Sequence, residues 1–511
     1  MNKNSTQIHR ALISVSNKDG ILEFAKELQR LGIEIISTGG TAKKLTEANI
    51  NVKDISEFTG FPEMMEGRVK TLHPKVHGGI LGLRDSHKVI AEQNEIKWID
   101  LVVCNLYPFS ETILKENVNY DEIIENIDIG GPTMIRSAAK NMGWVTVIVD
   151  PQDYNPLLEE LKSGGINFET RKKMAIKSFG HTAQYDTIIH NHLKEEKFSY
   201  NFSLTFKKDY ELRYGENPHQ MASVYKKPNN KGCNILNAKI LQGKKLSYNN
   251  INDADGALST LKEFTEPACV IVKHANPCGV AIGDNIATVF KQAYNTDPMS
   301  AFGGIIALNR TCTKAIAEEI TKVFVEIVLA PNYDKEALGV LDKKQNMRVL
   351  ELGNILPNQD KLEFRYIEGG LLVQDIDTKI IKKEDLQFVT DKQPTEQELI
   401  DMLFGWKVLK HVKSNAILIA KNNTTIGIGP GQVSRIDAVD LAIKKSGEKI
   451  KDSVLCSDAF FPFRDSIDKI AQTGIKAIIQ PGGSIKDEEV IKACNEYKIS
   501  MVFTGNRCFK H

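Results

Sequence analysis

Residues 11–41 read ALISVSNKDGILEFAKELQRLGIEIISTGGT, and their pattern indicates the architecture of the N-terminal part. It opens with an apolar, β-prone run over Ala11–Ser16, which ends in a polar turn. Apolar residues then recur at helical spacing, at Ile21, Phe24, Ala25, Leu28 and Leu31. Gly32 ends this helix before a second apolar run, Ile33–Ser37. The order strand, helix, strand predicts a β-α-β unit and therefore a parallel α/β sheet.

The same pattern continues through the first part of the chain. Leu101–Leu106 and Val145–Val149 read as buried strands, and Gly130 opens a helix that carries Ser137 to Lys140. Residues 196–208 belong to a polar, charged stretch without sustained periodicity, which is typical of a linker. We therefore predict a first domain over residues 1–195, a linker over 196–208 and a second region over 209–511.

The second region also alternates apolar runs with Gly-rich or Pro-rich turns. Two similar stretches, Ser300–Gly304 and Ser457–Phe461, indicate a duplicated unit. The charged segment Lys382–Pro394 is a candidate separator of the two copies. We predict two α/β subdomains with a boundary near residue 380.

Composition limits the classes of function. The chain has 511 residues, of which 41% are hydrophobic and 26% are charged, so it can bury several cores. Its 66 basic and 65 acidic residues balance, which argues against global attraction to nucleic acid or to an anionic membrane. No apolar stretch approaches the roughly 20 residues of a spanning helix. The polar start, Met1–Arg10, lacks the apolar run of a signal peptide, so we expect a cytoplasmic protein.

The eight cysteines do not suggest a metal site. None forms a C-x-x-C pair, and reduced, buried thiols are the default in a long cytosolic chain. Pro277-Cys278 begins like the P-C-x-x-C signature of zinc nucleobase deaminases. The second thiolate of that signature would fall at Ala281, which cannot bind zinc. We therefore predict no metal.

Two loops of the first domain carry groups suited to a phosphate. Thr38–Thr41 lies between a strand and a helix, where backbone N–H groups and the helix dipole favour an anion, although many such turns are only helix starts. Gly67–Pro74 concentrates Arg68, Lys70, Thr71 and His73 in one stretch that Gly and Pro keep out of a helix. Such a group of residues suits a phosphate or a developing negative charge, but a solvated basic loop is the simpler interpretation.

Several other residues have both a chemical and a structural interpretation. Lys273-His274 follows an apolar strand and precedes Asn276-Pro277, so His274 is either a general base with a neighbouring cation or a structural histidine. Tyr107, at a strand end before a proline, is either an acid or a packing residue. Asp128 precedes a Gly pair and is either a reactive carboxylate or a helix cap. Lys140 alone reads as a surface charge.

Taken together, the motifs resemble the bifunctional purine-biosynthesis family that joins AICAR formyltransferase to IMP cyclohydrolase, and the match covers essentially the whole chain. The N-terminal matches include Ser14–Lys18, Ser37–Thr41, Gly60–Glu63, Arg68–Pro74, Cys104–Phe109, Ile127–Gly131 and Ala138–Asn141. The later matches include Arg213–Gln220, Lys273–Pro277, Ser414–Asn415, Gly427–Arg435, Ser457–Asp465 and the Arg507-x-Phe509-x-His511 ending.

The resemblance implies a fold and two reactions. The fold is a methylglyoxal-synthase-like cyclohydrolase domain followed by a formyltransferase region of duplicated cytidine-deaminase-like subdomains without zinc. The first reaction transfers a formyl group from 10-formyltetrahydrofolate to AICAR, and the second cyclises formyl-AICAR to IMP with loss of water. Folate is then a cosubstrate, with no tightly bound cofactor. The family also implies a homodimer whose formyltransferase sites lie between subunits.

The resemblance further implies roles for individual residues of the formyltransferase. His274 is the expected base and Lys273 the expected stabiliser of the transition state. The expected AICAR-binding residues are Arg213, Tyr214, Gly303, Glu326, Asn415 and Arg507, where Glu326 occupies a position at which Asp is the more familiar family residue. The expected folate-binding residues are Arg435, Ile436, Phe460, Asp465, Ser484 and Ile485.

For the cyclohydrolase, the resemblance gives a second set of residues. The expected catalytic residues are Lys70, Tyr107, Asp128 and Lys140. The expected nucleotide-binding residues are Ser16, Asn17, Lys18, Thr38, Gly39, Gly40, Thr41, Arg68, Val69, Thr71, Asn105, Leu106 and Ile129. A regulatory nucleotide-binding module without catalysis is an alternative for this domain, and the presence of Lys70, Tyr107 and Lys140 argues against it. A hydrolytic deaminase is an alternative for the second region, and Ala281 argues against it.

Overall fold

A computed structural model describes residues 2–357 and 361–511 of the chain. The chain forms two compact units. The first unit ends at Lys207 and also takes in Lys227–Asn229, and the second comprises Lys208–Lys226 and the chain from Asn230 onward. Among the described residues, no helix is both long and apolar enough to cross a membrane.

The first unit alternates strands and helices from its start, as residues 11–41 predict. Its strands are β1 (Arg10–Val15), β2 (Glu34–Ser37), β3 (Lys53–Asp54), β4 (Leu101–Asn105) and β5 (Thr146–Ile148). Its helices are α1 (Ile21–Arg30), α2 (Gly39–Glu47), α3 (Ile55–Thr59), α4 (Pro74–Leu81), α5 (Lys88–Gln93), α6 (Phe109–Thr112), α7 (Tyr120–Glu125), α8 (Gly130–Lys140), α9 (Tyr154–Lys162) and α10 (Phe168–Leu193).

The five strands form one sheet in the order β3-β2-β1-β4-β5, and every pair is parallel. Along β1, Leu12 packs into the core formed with α4, α8 and α10, whereas Ala11 and Ile13 pack into the core formed with α1, α2 and α9. Because both faces of the sheet are covered, its strands are apolar at nearly every position. The prediction of a parallel α/β domain is confirmed.

The second unit starts with strands and then repeats one order of elements. Its strands are β6 (Lys207–Leu212), β7 (Ala222–Lys226), β8 (Lys239–Gln242), β9 (Ala268–Lys273), β10 (Asn276–Ile282), β11 (Ile305–Leu308), β12 (Ile327–Ala330), β13 (Arg348–Glu351), β14 (Leu362–Ile367), β15 (Gly370–Asp375), β16 (Gln387–Phe388), β17 (Ile417–Lys421), β18 (Thr424–Gly429), β19 (Val454–Ser457), β20 (Ala477–Gln480) and β21 (Ser500–Phe503). Its helices are α11 (Tyr248–Leu261), α12 (Ile286–Tyr294), α13 (Pro298–Ala301), α14 (Lys314–Ile320), α15 (Lys335–Leu341), α16 (Glu396–Leu409), α17 (Arg435–Ser446), α18 (Asp465–Ile470) and α19 (Asp487–Glu496).

Twelve of these strands form one sheet that contains the same arrangement twice. The first copy has the order β10-β9-β11-β12-β13-β8, the second has the order β18-β17-β19-β20-β21-β16, and β10 joins β18 at the centre. In each copy a capping box begins the helix before the hairpin, at Ser247 for α11 and at Thr395 for α16. One apolar core containing α11 and α16 spans both copies, and each copy has its own core on the other face.

The duplication is real, but the two stretches that suggested it are not equivalent. Ser300–Gly304 precedes β11, whereas Ser457–Phe461 begins at the last residue of β19, which is the counterpart of β11. The similarity of these two stretches therefore does not arise from the duplication, although the duplication itself is present. The likeness of each copy to cytidine deaminases stays a prediction.

Candidate active sites

The first candidate site lies at the carboxyl ends of β1, β2 and β4. The chain leaves β1 toward β2 and leaves β4 toward β5, so the sheet order reverses between β1 and β4. Ligands of open parallel sheets bind in the crevice at such a reversal. The predicted nucleotide-binding loops that follow these strands therefore share one edge of the sheet.

Hydrogen bonds tie these loops together. Asn105 Oδ1 accepts the amides of Ser16 (2.7 Å) and Asn17 (2.8 Å), and Asn105 Nδ2 donates to the Asn17 carbonyl oxygen (3.0 Å). Thr41 Oγ1 accepts from the Val15 amide (3.1 Å) and donates to the Val15 carbonyl oxygen (3.0 Å). Asn105 and Thr41 thus hold the loops in place, while Gly39 and Gly40 open helix α2 beside them.

The loop that carries Arg68–Thr71 reaches the same place. Lys70 Nζ lies 3.5 Å from where a side chain on Gly39 would begin, and a side chain on Gly130 would begin 2.7 Å from Thr71 Oγ1. Acidic residues accompany both cations, because Lys70 lies 3.9 Å from Glu63 Oε1 and Arg68 pairs with Glu125. The loop therefore places positive charge between the start of α2 and the start of α8.

Asp128 and Tyr107 complete this group of residues. Asp128 Oδ1 accepts the amide of Gly131 (2.8 Å), and the Tyr185 hydroxyl accepts the amide of Asp128 (2.7 Å). Burial raises the pKa of Asp128, against the amides of Gly131 and Tyr107 and the nearby charge of Lys70. Burial, followed by the charge of Asp128, raises the pKa of the Tyr107 phenol. The tyrosine therefore keeps its proton at neutral pH, beside a carboxylate that binds a proton more readily than usual.

The remaining predicted residues of this site occupy varied positions. Lys18 Nζ lies 3.4 Å from the Ser16 carbonyl oxygen, Thr38 and Leu106 are buried, Val69 bridges to Met64, and Ile129 precedes α8 as an exposed residue. Lys140 ends α8, about 15 Å along the helix from its start at the rise of an α-helix. A catalytic role for Lys140 stays a prediction.

The second candidate site surrounds the hairpin between β9 and β10. Lys273 and His274 line a cavity of about 210 Å³, whose wall also includes Asp297 and Lys445. We call this space the His274 cavity. Lys445 Nζ lies 2.6 Å from Asp297 Oδ2, and Lys273 Nζ donates to the Phe302 carbonyl oxygen (2.7 Å). Its polar rim thus contains two ammonium groups, a carboxylate and an imidazole.

The turn itself differs from the sequence-based expectation. The sequence pattern places all of Lys273–Pro277 in one Pro-containing turn, but Lys273 ends β9, Asn276 and Pro277 lie in β10, and the two-residue connection consists of His274 and Ala275. Both connecting residues have left-handed backbones, with φ of 53° and 58°. The hairpin exposes His274 at the cavity.

Other predicted AICAR-binding residues lie near this hairpin. Gly303 directly follows Phe302, and the Glu326 amide donates to the Gly304 carbonyl oxygen (3.0 Å). Glu326 Oε2 accepts a hydrogen bond from Asn250 Nδ2 on α11 (2.7 Å). The loop containing Arg213 and Tyr214 is tied to the same helix, because Asn249 Nδ2 donates to the Glu216 carbonyl oxygen (3.3 Å).

The other predicted residues line a different cavity, of about 470 Å³. Its wall includes Asn415, Arg435, Phe460 and Arg507, and we call it the Phe460 cavity. The Arg435 guanidinium is buried, pairs with Asp458 and donates to Asn415 Oδ1 (2.8 Å). Arg435 therefore orients Asn415 in this wall.

The rest of the folate-binding set lies close to the Phe460 cavity in the chain. Ile436 follows Arg435 in the first turn of α17, and Asp465 begins α18 as an exposed residue. Ser484 and Ile485 follow Gly482 and Gly483, which line the cavity, and Ile485 is fully exposed. The structure places Asn415, Arg435, Phe460 and Arg507 on one cavity wall. That these residues bind AICAR or folate stays a prediction.

Two known protein families match parts of this chain. Residues 138–445 match the family described as the AICARFT/IMPCHase bienzyme, and residues 20–133 match the MGS-like domain. The chain belongs to the AICARFT/IMPCHase bienzyme family. Its first unit contains the MGS-like domain that the sequence motifs predict.

Close relatives of this bienzyme family match the chain over nearly its full length. The bifunctional purine biosynthesis protein PurH of Acetivibrio thermocellus is 55% identical, over 99% of this chain and 100% of its own. The PurH proteins of Bacillus cytotoxicus and Persephonella marina are 54% and 53% identical, each over 98% of this chain and 99% of their own.

The sequence did not predict two aspartates that contact a predicted site residue or the turn that carries one. Asp458 pairs with Arg435, and Asp253 accepts the amide of Ala275 (2.7 Å). Asp458 stands within the Ser457–Asp465 motif, which is the only signal that pointed to it, and Asp253 lies in a helix without any motif. Within residues 2–357 and 361–511, no group of three or more His, Cys, Asp or Glu side chains is arranged to hold a metal ion.

Proposed function

We propose that this chain transfers a formyl group from 10-formyltetrahydrofolate to AICAR and then cyclises formyl-AICAR to IMP with loss of water. The observation that carries the proposal is that each unit of this family member gathers its own group of reactive residues. Lys70, Tyr107 and Asp128 meet in the first unit. Lys273 and His274 line one cavity in the second.

In the proposed first reaction, the aromatic amine of AICAR attacks the formyl carbon of the folate. The new C–N bond forms as the carbonyl becomes an oxyanion, and the bond from the formyl carbon to the folate nitrogen then breaks. His274 accepts the proton that the amine loses, and the departing folate nitrogen must receive one. Lys273 has three N–H donors, one of which is used on the Phe302 carbonyl, so its ammonium has donors left to stabilise the oxyanion.

The proposed binding residues fall into two groups within one chain. Arg213, Tyr214, Gly303 and Glu326 lie near the His274 hairpin or on segments tied to its neighbouring helix, whereas Asn415 and Arg507 line the Phe460 cavity. The aromatic ring of Phe460 suits the flat pterin of the folate. Arg507 suits the phosphate of AICAR because a guanidinium binds phosphate in a bidentate manner.

In the proposed second reaction, the carboxamide nitrogen of formyl-AICAR attacks the new formyl carbon. A ring closes, the formyl oxygen becomes an oxyanion, and that oxygen leaves as water. Lys70 stabilises the oxyanion, Asp128 accepts the proton from the attacking amide nitrogen, and the protonated Tyr107 converts the oxyanion to a hydroxyl group. Asp128 then returns its proton to this hydroxyl as the C–O bond breaks and water leaves, while the former formamide nitrogen loses its proton to the Tyr107 phenolate and forms the C=N bond. The Thr38–Thr41 loop at the start of α2 holds the nucleotide phosphate.

We also propose that the protein acts as a homodimer in the cytoplasm. Ile485, a predicted folate-site residue, is 101% exposed in the single chain. Val433, two residues before the predicted folate-site residue Arg435, is 99% exposed. Apolar side chains beside a ligand site favour a covering surface, and a second copy supplies one. The division of the predicted AICAR-binding residues between the neighbourhood of the His274 hairpin and the wall of the Phe460 cavity also favours a site built from two chains.

The experiment uses the purified full chain with AICAR and 10-formyltetrahydrofolate, and follows IMP as product. A fragment ending near residue 195 is assayed with formyl-AICAR alone. We expect the full chain to form IMP from AICAR, and the fragment to cyclise formyl-AICAR without using folate. A folded fragment without cyclisation would refute the assignment of the first unit, and a full chain that cyclises but never consumes folate would refute that of the second.

A further inference from the structure

The hairpin that presents His274 has an unusual composition for its geometry. His274 and Ala275 form a two-residue connection in which both residues have positive φ. Such connections favour Asn, Asp and Gly, which tolerate left-handed backbones. Ala275 has no polar group with which to compensate, so another part of the molecule must hold this turn.

The second copy shows what the same turn looks like without that difficulty. There the connection between β17 and β18 consists of Asn422 and Asn423, with φ of 48° and 56°. Asn is a favoured residue for this turn. The first copy therefore keeps the hairpin geometry with residues that do not favour it.

An aspartate from the preceding helix holds each turn. Asp401 accepts the amides of Asn422 (Oδ2, 2.9 Å) and Asn423 (Oδ1, 2.7 Å). Asp253 Oδ1 accepts the amide of Ala275 (2.7 Å). Asp253 and Asp401 are each the sixth residue of a 14-residue helix, so they are equivalent in the two copies.

Helix α11 also approaches its turn closely. A side chain at Gly256 would begin 3.3 Å from the Ala275 carbonyl oxygen, and the equivalent residue of α16 is Phe404. Burial raises the pKa of Asp253, while the amides of Ala275 and His274 and the imidazole charge act against that rise. The Asp253 carboxylate thus faces the turn.

We propose that Asp253 is a positioning residue for formyl transfer, which fixes the turn and thereby aims the His274 imidazole into its cavity. This role rests on the proposed function of His274 as the base. Asp253 does not line the cavity, and it acts through the backbone of the turn. An error of about 1 Å in the placement of a catalytic group can lower a rate about 100-fold, so the fixed turn matters for the rate.

The test compares Asp253→Ala with Asp401→Ala in the full chain, because alanine removes the acceptor oxygen that asparagine would keep. Asp253→Ala should lower kcat for formyl transfer about 10-fold to 100-fold with little change in KM for AICAR, because the base is misplaced but the substrate still binds. Asp401→Ala, the matched control, should keep kcat for formyl transfer within about twofold of the wild type. Cyclisation of formyl-AICAR should be unchanged in both variants.

A rescue variant separates positioning from direct chemistry. Glycine adopts a left-handed backbone without steric cost, so Ala275→Gly should stabilise the turn when Asp253 is replaced. We expect the double variant Asp253→Ala/Ala275→Gly to recover most of the lost kcat. No recovery, or a loss expressed mainly in KM for AICAR, would overturn the positioning role.

Hydrogen exchange provides a readout that does not depend on activity. The amide of Ala275 should exchange faster in Asp253→Ala than in the wild type, because it loses its acceptor. Unchanged protection, or an unchanged kcat in Asp253→Ala, would overturn the proposal. A wild-type chain that transfers no formyl group would instead refute the proposed function, while the exchange result would still report whether Asp253 holds the turn.

Discussion

The exchange of one turn for the other gives the most decisive test of His274. In the double variant His274→Asn/Ala275→Asn, the first hairpin receives the two residues that connect β17 and β18 in the second copy. Asp253 remains to accept the turn amides. The variant therefore removes the imidazole while it keeps the hairpin that presents it.

The structure predicts opposite effects on activity and stability. Loss of a general base typically lowers a rate about 10²-fold to 10⁴-fold. That range corresponds to roughly 3–5 kcal/mol of barrier. A left-handed backbone costs an ordinary residue about 1–2 kcal/mol, and Asn visits it readily, so replacing Ala275 should raise the free energy of unfolding by up to about 1 kcal/mol. If His274 were merely structural, its replacement would lower both the activity and the stability.

The assay measures formyl transfer, cyclisation and thermal unfolding on the same preparation. Cyclisation serves as the internal control, since its candidate residues lie in the first unit. Formyl transfer above about a tenth of the wild-type rate, well short of the range for a general base, would refute the role of His274. A clear fall in melting temperature would refute the argument about the turn.

Three further predictions follow from burial and close approach. Asp128→Asn should slow cyclisation about 100-fold or more. Because burial raises the pKa of Asp128, its ionised form destabilises the fold. At neutral pH the variant should therefore unfold at a higher denaturant concentration than the wild type. This difference in stability should vanish as the pH falls below about 4, where the carboxyl group is protonated in both the folded and the unfolded wild type. Gly67→Ala should slow cyclisation but not formyl transfer, since φ is 89° and the new side chain would begin 2.5 Å from Glu63 Oε1. Asp458→Asn should lower the free energy of unfolding by about 3–5 kcal/mol, measured by denaturant titration, because it leaves the Arg435 guanidinium buried without its partner.

The local architecture was predictable from the sequence because it depends on local patterns. Residues 11–41 specify a strand, a helix and a strand through their apolar spacing, and the structure has β1, α1 and β2 there. The turn from β2 into α2 was predictable for the same reason, and the role of Thr38–Thr41 as an anion site stays a prediction. The sheet edge that gathers Thr38–Thr41 and Asn105 follows from parallel pairing, which the β-α-β order already implies.

The parts that escaped prediction depend on contacts between distant segments. Nothing local in β10 or β18 specifies that they pair and join two copies into one sheet. The exact position of the turn within Lys273–Pro277 was not predictable, because neither His274 nor Ala275 is a turn signal, whereas Asn276-Pro277 is one. The ion pair between Arg435 and Asp458 became visible only when the fold placed both residues in one buried position.

The duplicated unit presents two different sets of proposed site residues for formyl transfer on one scaffold. Both copies end the first hairpin strand with a lysine, at Lys273 and Lys421, and both hold a left-handed turn with an aspartate from the preceding helix. The lysine and the aspartate are therefore features of the scaffold. What distinguishes the first copy is the residue pair in the turn, where the second copy has two asparagines. The second copy contributes instead the wall of the Phe460 cavity. We therefore attribute the proposed catalytic function of this half to the difference between the two turns. His274 and Ala275 form the turn of the first copy, and because they do not favour its left-handed geometry, that turn depends on Asp253.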